Sequence, residues 1–263
     1  MVRIHLVTGN KGNVGKSLWA SGLIEYYRSY GRELTSIDGD KDSKTLRSTY
    51  KDSLIIVLSD DPIMSAQPDM IMDIAEESSK SEGSGDVLID LPAGGEKTMN
   101  AWMESCGLHK SSEIADILPV TIFKWWVSDA DLESVSLFEK SVNAYPDIKH
   151  IFVKNMGRSR EVQWEQVYSE TSLKLLKDSQ KIKVIDMDVL APETIRLTRS
   201  LRIELKAASS HEKVPLSKRL RVRSWLKTTA AKIDYEVLLS KEKAQESPPD
   251  KAVKEKKVVV AKK

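Results

Sequence analysis

Short apolar runs alternate with longer stretches in which apolar positions return every three or four residues, and this rhythm fills most of the chain. The runs predict strands at Arg3–Thr8, Leu34–Asp38, Leu54–Leu58, Asp86–Asp90, Ile117–Ile122, His150–Lys154 and Lys183–Met187. Several are continuous rather than alternating, as strands buried on both faces of a parallel sheet are. The longer spacing predicts helices at Lys16–Ser29, Pro62–Ser81, Asp129–Asn143, Glu161–Lys177 and Pro192–Ala208. Strand and helix in turn imply an α/β fold: a doubly wound, mainly parallel sheet flanked by helices. From Leu216, apolar residues recur at 220, 226, 230, 233 and 237, the spacing of a last helix packed on the core. Glu82-Gly-Ser-Gly85 reads as a turn, because an apolar strand follows at once. The expected organisation is one domain over residues 1–240 and a disordered, Lys-rich tail over 241–263, where Lys, Glu and Pro crowd out apolar residues.

Composition narrows the class. The chain has 263 residues, 40% of them hydrophobic and 30% charged, which suits a globular protein with a full core. A single cysteine, Cys106, excludes a disulfide framework, a CxxC iron–sulfur site and a zinc knuckle. No stretch approaches the ~18 apolar residues of a membrane span. The opening Met-Val-Arg-Ile-His reads as the start of a strand rather than a signal peptide, so a cytoplasmic location is expected. The four histidines, at 5, 109, 150 and 211, lack metal-ligand spacing. Net charge is +2, yet it is unevenly spread. Residues 1–195 carry 22 Lys and Arg against 31 Asp and Glu, whereas residues 196–263 carry 19 against 8. A basic last quarter on an acidic body points to a polyanion partner or to a solvated charged face.

The most specific chemistry lies in Asn10-Lys-Gly-Asn-Val-Gly-Lys-Ser17, between a predicted strand and a predicted helix. That context is what a phosphate-binding loop requires, because consecutive backbone N–H groups at a helix N-terminus make an anion cradle. Gly12 and Gly15 let the backbone come close to phosphates. Lys16 is placed to reach the β- and γ-phosphates, and the Ser17 hydroxyl to ligate Mg²⁺. Asn stands at 13 where glycine is usual; it is the non-glycine residue that best tolerates left-handed backbone. With Lys11 ahead of the glycines, the loop resembles the deviant phosphate loop of the ParA/MinD ATPases, P-loop NTPases of the SIMIBI type. The resemblance covers roughly residues 1–210.

Further segments fit that resemblance. Asp38-Gly-Asp40 ends the second strand and is similar to the D-x-D of switch I. The resemblance implies that Asp40 orients or deprotonates the attacking water and that Asp38 supports the Mg²⁺ shell. Lys41-Asp42 departs from the usual continuation. Asp90-Leu-Pro-Ala-Gly94 closes an apolar strand and resembles Walker B and switch II, with Asp90 holding Mg²⁺ through water and Gly94 sensing the γ-phosphate. Asn155 and Pro192 stand where the family contacts adenine. With Val14 and Leu18 of the loop, these residues complete the expected ATP and Mg²⁺ site.

The resemblance also implies partners. Lys11 would reach a second subunit's nucleotide, so that ATP drives homodimerisation and hydrolysis dissolves the pair. ParA-like proteins bind DNA non-specifically through basic residues near the C-terminus. Here eleven Lys and Arg fall between Arg196 and Lys232, with Arg196, Arg199 and Arg202 spaced along one helix face. The expected role is plasmid or chromosome partition, nucleoid-associated when ATP-bound, with slow hydrolysis stimulated by a ParB-like or other plasmid-encoded protein. The expected end of the chain lacks the amphipathic helix of MinD-like members, so no membrane partner is expected. Ile4-His-Leu-Val and Gly-Lys-Ser also resemble the StbB- and TraL-like ATPases of conjugative or mobilisable plasmids. A metabolic ATP-dependent enzyme on the same fold is the remaining alternative. Phe123-Lys-Trp-Trp126 reads as an aromatic contact just past a strand end, or as a docking or stacking surface.

Overall fold

The computed structural model describes residues 2–40, 43–59, 67–80, 85–110 and 116–234. The expected tail 241–263 lies outside these residues, as do Lys41-Asp42 and positions 82–84 of the anticipated turn.

Among the described residues, seven strands form one parallel sheet: β1 (Val2–Thr8), β2 (Leu34–Asp38), β3 (Leu54–Ile55), β4 (Asp86–Asp90), β5 (Val120–Ser128), β6 (Lys149–Asn155) and β7 (Ile182–Met187). Their order across the sheet is β3-β2-β4-β1-β5-β6-β7, and every pairing is parallel. The helices between them are α1 (Lys16–Ser29), α2 (Thr45–Thr49), α3 (Met70–Lys80), α4 (Gly95–Ser105), α5 (Leu132–Ala144), α6 (Glu161–Glu170), α7 (Leu173–Asp178), α8 (Pro192–Leu201), α9 (Leu205–Ala208) and α10 (Leu216–Ile233). The doubly wound sheet expected from the sequence is therefore the observed fold. Strand order reverses around β1, so the crevice at the carboxyl end of β1 is where such sheets place their ligands.

Both faces of the sheet are covered. Trp19, Tyr27, Trp125 and Trp225 belong to the cluster beneath α1 and α10, while Ile4, Leu6, Met99 and Trp102 pack beneath α3 and α4. Adjacent tryptophans divide between the faces because successive strand residues point opposite ways: Trp125 joins the first cluster, and Trp126 packs with Phe138, Phe152 and Trp164.

Several boundaries differ from the expected ones. The fifth strand was expected at Ile117–Ile122 but runs Val120–Ser128, so Phe123-Lys-Trp-Trp126 is neither a strand-end contact nor a surface: all four side chains are buried inside the strand. The embedded Lys124 interrupts the apolar pattern, although its charge is neutralised within the core by Glu96 at 3.1 Å. The third strand covers two residues instead of five; it is an edge strand paired only to the end of β2. The single helix expected over Glu161–Lys177 breaks at Thr171, whose backbone is extended and whose hydroxyl donates to the Val167 carbonyl, a side-chain competitor for helix bonds. The helix expected over Pro192–Ala208 stops at Leu201, with Arg202 in a left-handed cap at φ 52°. In α10 the buried stripe is Val222, Trp225, Thr229 and Ile233, leaving the expected contact Leu220 about half exposed at 52%. Trp225 sets that stripe by lying against Gly22 of α1, where a Cβ would come within 3.1 Å of it.

Candidate functional site

The chain leaves β1, crosses Gly9–Gly15 and starts α1 at Lys16. Two residues of the crossing adopt left-handed backbone, Asn13 at φ 60° and Gly15 at φ 110°. Asn13 thus fills the role its tolerance of that conformation foretold. Gly15 is required for a second reason: a Cβ there would lie 2.7 Å from the Asn155 amide nitrogen and 2.8 Å from the Met187 methyl. The loop's backbone is clamped from β6, since the Asn155 amide donates to the Val14 carbonyl at 2.6 Å and Arg158 donates to the Asn13 carbonyl at 2.8 Å.

Lys16 is buried, and its ammonium donates to the Lys11 carbonyl at 2.7 Å. Burial pulls its pKa below the ordinary lysine value, and the Asp90 and Asp40 carboxylates resist that pull. Asp90, at the end of β4, is buried and pushed up to about 7, chiefly by desolvation and then by Asp38 and Asp40, while Ser17 and Lys16 hold it down. Its Oδ1 has no hydrogen-bond partner. An orphaned carboxylate oxygen beside a buried ammonium and a serine hydroxyl is a costly arrangement for a protein that binds nothing.

These groups line a cleft of about 500 Å³. Of the residues singled out from the sequence, Gly12, Asn13, Gly15, Lys16, Ser17, Leu18, Asp40, Asp90, Asn155 and Pro192 meet on its walls. Three do not. Val14 is buried beneath the loop, with its carbonyl held by Asn155. Asp38 is fully buried and spends its oxygens on the backbone N–H groups of Asp40 (3.0 Å) and Arg47 (2.9 Å), so it pins the segment after β2. Lys11 lies outside the cleft and pairs with Asp131 at 3.0 Å. That hydrogen bond raises the Lys11 pKa. Asp131 in turn caps α5 by accepting from the Ser134 backbone N–H at 3.0 Å. Asp40 accepts from the Ser43 backbone at 3.0 Å and from its hydroxyl at 2.6 Å.

Asn155 is busier than the sequence implied. Its carbonyl accepts from Gly157 N–H at 2.9 Å while its amide holds Val14, so loop support is its observed work. Sequence reasoning missed Arg158, Thr45 and Asp188 on the cleft wall, and assigned Arg196 and Arg199 elsewhere. Asp188 is held by Lys232 of α10 at 2.5 Å, which lowers its pKa. Position three residues past Asn155 was a readable cue for Arg158; no local pattern marks Asp188.

The donors suit a nucleotide with a hard cation. Backbone amides and Lys16 match phosphate, while the Ser17 hydroxyl and Asp90 carboxylate match Mg²⁺, which keeps waters and phosphate oxygens among its ligands. Among the described residues no group of three or more His, Cys, Asp or Glu side chains is placed to hold a metal by itself. None of the described helices is long and apolar enough to cross a membrane.

No protein-family model matches the chain. Protein MobD of Acidithiobacillus ferrooxidans is 23% identical over 226 residues, spanning 84% of this chain and 92% of its own length. The MinD cell division protein of Aquifex aeolicus superposes with a TM-score of 0.48 at 15% identity, covering 90% of this chain and 99% of that one. The septum site-determining protein MinD of Pyrococcus horikoshii OT3, solved with Mg-ADP, reaches a TM-score of 0.51 at 18% identity over 89% of this chain and 96% of its own. What this chain has in common with that MinD is the fold, a parallel sheet flanked by helices.

Proposed function

We propose that this chain is a switch ATPase that binds ATP with Mg²⁺ in the cleft between β1, β4 and β6. One observation carries the reading: the buried Lys16 and Asp90, whose Oδ1 has no partner, line one cleft with a loop whose Asn13 and Gly15 adopt left-handed backbone. The P. horikoshii MinD was solved with Mg-ADP, which supports the same ligand class here.

In this reading Gly12 to Leu18 cradle the phosphates and Lys16 compensates their charge. Ser17 and Asp90 would hold Mg²⁺. The cation supplies charge neutralisation at the phosphate being transferred. Asp40, on the cleft wall, accepts a hydrogen bond from the attacking water; Asp38 keeps that segment in place. Pro192 borders the base, and Asn155 holds the loop beneath it. Lys11 exchanges Asp131 for the nucleotide of a second copy, so ATP favours a two-fold pair and hydrolysis releases it. The pair presents the basic α10, with Lys218, Arg219, Arg221, Arg223 and Lys227, to DNA without reading its sequence. Its location is then cytoplasmic, on the nucleoid while ATP is bound.

Partition of a plasmid or chromosome, stimulated by a ParB-like protein, is one setting for such a switch. The relationship to protein MobD favours the other, an ATPase accompanying a mobilisable or conjugative plasmid. Light scattering with ATP, ADP or neither, followed by gel shifts on unrelated DNA at two salt concentrations, tests the reading. ATP-dependent doubling of mass and a salt-sensitive shift are expected. A chain that stays single with ATP removes the pairing, and fast unstimulated turnover points to a metabolic enzyme instead.

A further inference from the structure

Arg196, Arg199 and Arg202 read in the sequence as one basic helix face, and the fold divides them. Arg202 leaves the helical path at the left-handed cap of α8. Arg196 and Arg199 turn inward and line the same cleft as Lys16 and Ser17. Arg199 also borders a smaller cavity between α1, α2 and α8, which it shares with Ser17, Thr45 and Thr198. Its guanidinium is near enough to feel the Asp90 carboxylate.

Neither arginine makes a hydrogen bond or ion pair among the described residues, and the acid available on their own helix, Glu193, is taken at 3.5 Å by Arg221 of α10. Both are exposed to the water of the cleft. Among the residues lining the cleft, Ser17, Thr45, Asp40 and Asp90 mark where charge would collect, and Arg199 stands at that end because it shares the smaller cavity with Ser17 and Thr45.

We infer that Arg199 is a phosphate ligand supplied by the same chain, directed at the terminal phosphate of a bound nucleoside triphosphate. The inference rests on the nucleotide reading above and adds to it a residue that distinguishes triphosphate from diphosphate. A guanidinium offers two parallel N–H donors to two phosphate oxygens, and such charge-assisted pairs are about twice as strong as neutral ones. Lys16 already spends one of its protons on the Lys11 carbonyl, so a second cation at this end answers charge that one lysine leaves uncompensated. A cation fixed where negative charge accumulates during phosphoryl transfer also favours the transition state over the bound substrate. One consequence is that Arg199 is withheld from DNA while nucleotide is bound.

The test is equilibrium binding of a non-hydrolysable ATP analogue and of ADP, each with Mg²⁺, to the full chain. The proteins compared are the wild type, Arg199→Gln, Arg199→Lys and Lys16→Ala, with thermal melting to verify folding. Arg199→Gln is expected to melt with the wild type, because its side chain has no protein partner. It is expected to weaken the ATP analogue by about ten- to a hundredfold and ADP by less than about threefold, with partial recovery in Arg199→Lys. Equal loss for both nucleotides, or loss for neither, overturns the assignment while leaving the nucleotide reading intact if Lys16→Ala still abolishes binding. Wild-type protein that binds neither nucleotide overturns both. Unchanged ATP binding with a lost DNA shift in Arg199→Gln overturns the inference and returns α8 to the DNA face.

Discussion

Among the described residues three lysines are buried, and two of them, Lys124 and Lys16, are opposites. Lys124, in the middle of β5, is 1% exposed and closed on every side: Glu96 at 3.1 Å, Asn100 at 3.0 Å, the Ser141 hydroxyl at 2.9 Å and the Tyr145 ring at 4.8 Å. Lys16, at the start of α1, is 7% exposed and holds one carbonyl, with carboxylates near it and an unbonded carboxylate oxygen among them. Burial lowers the pKa of both. A buried charge with a full set of partners is part of the scaffold, whereas one with vacant valences beside an orphaned acid is set for a ligand. Burial alone therefore does not identify a functional lysine; the completeness of its surroundings does.

The contrast breaks most sharply under substitution. Lys16→Ala is expected to cut nucleotide affinity at least a hundredfold, on the order of 3 kcal/mol, with little change in melting temperature, as calorimetric titration would show. Lys124→Ala should do the reverse. Removing the buried side chain leaves a cavity in β5 and takes the partner from Glu96, Asn100 and Ser141, which costs about 3 kcal/mol of stability in urea unfolding, and nucleotide affinity of the folded fraction is unchanged. A Lys124→Met protein that lost nucleotide as completely as Lys16→Ala would erase the distinction.

The next effect is catalytic. Asp40→Ala should keep nucleotide binding yet slow single-turnover hydrolysis about a hundredfold. A pH series sharpens the scaffold side. His150, 3.3 Å from Ser141, is pulled down to about 4 by burial first and by Lys124 second. The native state keeps this ring neutral while the unfolded chain protonates near its ordinary 6.5. The associated stability is complete above pH 6.5 and is lost as pH falls towards 4, on the order of 3 kcal/mol. Lys124→Met removes the second cause and should make that acid loss shallower. The smallest effect concerns Lys11. Asp131→Asn keeps the α5 cap but weakens the ion pair, so ATP-dependent pairing should form at severalfold lower protein concentration by light scattering. No change would mean that Asp131 does not compete for Lys11.

Much of the scaffold was legible from local signals. Continuous apolar runs marked the parallel strands, and Lys16–Ser29 was bounded correctly because a glycine-rich crossing precedes it and Gly31 follows. Asn13 was legible because its backbone tolerance is intrinsic. The strand around Trp125 was misplaced because Lys124 breaks the apolar run, and partners distant in sequence, Glu96, Asn100 and Ser141, make that lysine acceptable in a core. The arginines of α8 were misread because helical spacing says which residues share a face but not what the face meets.

The chain by itself determined where strands and helices alternate and which residues form the glycine-containing crossing from β1 to α1, since period and turn chemistry act over a few neighbouring residues. Tertiary structure decided what those residues touch. Asn155 reaches back to Val14, Asp131 takes Lys11, Lys232 holds Asp188, and Arg199 turns into the cleft. Each of these depends on the packing of helices against a sheet whose strand order is not the order of the sequence, so no local window contains both partners.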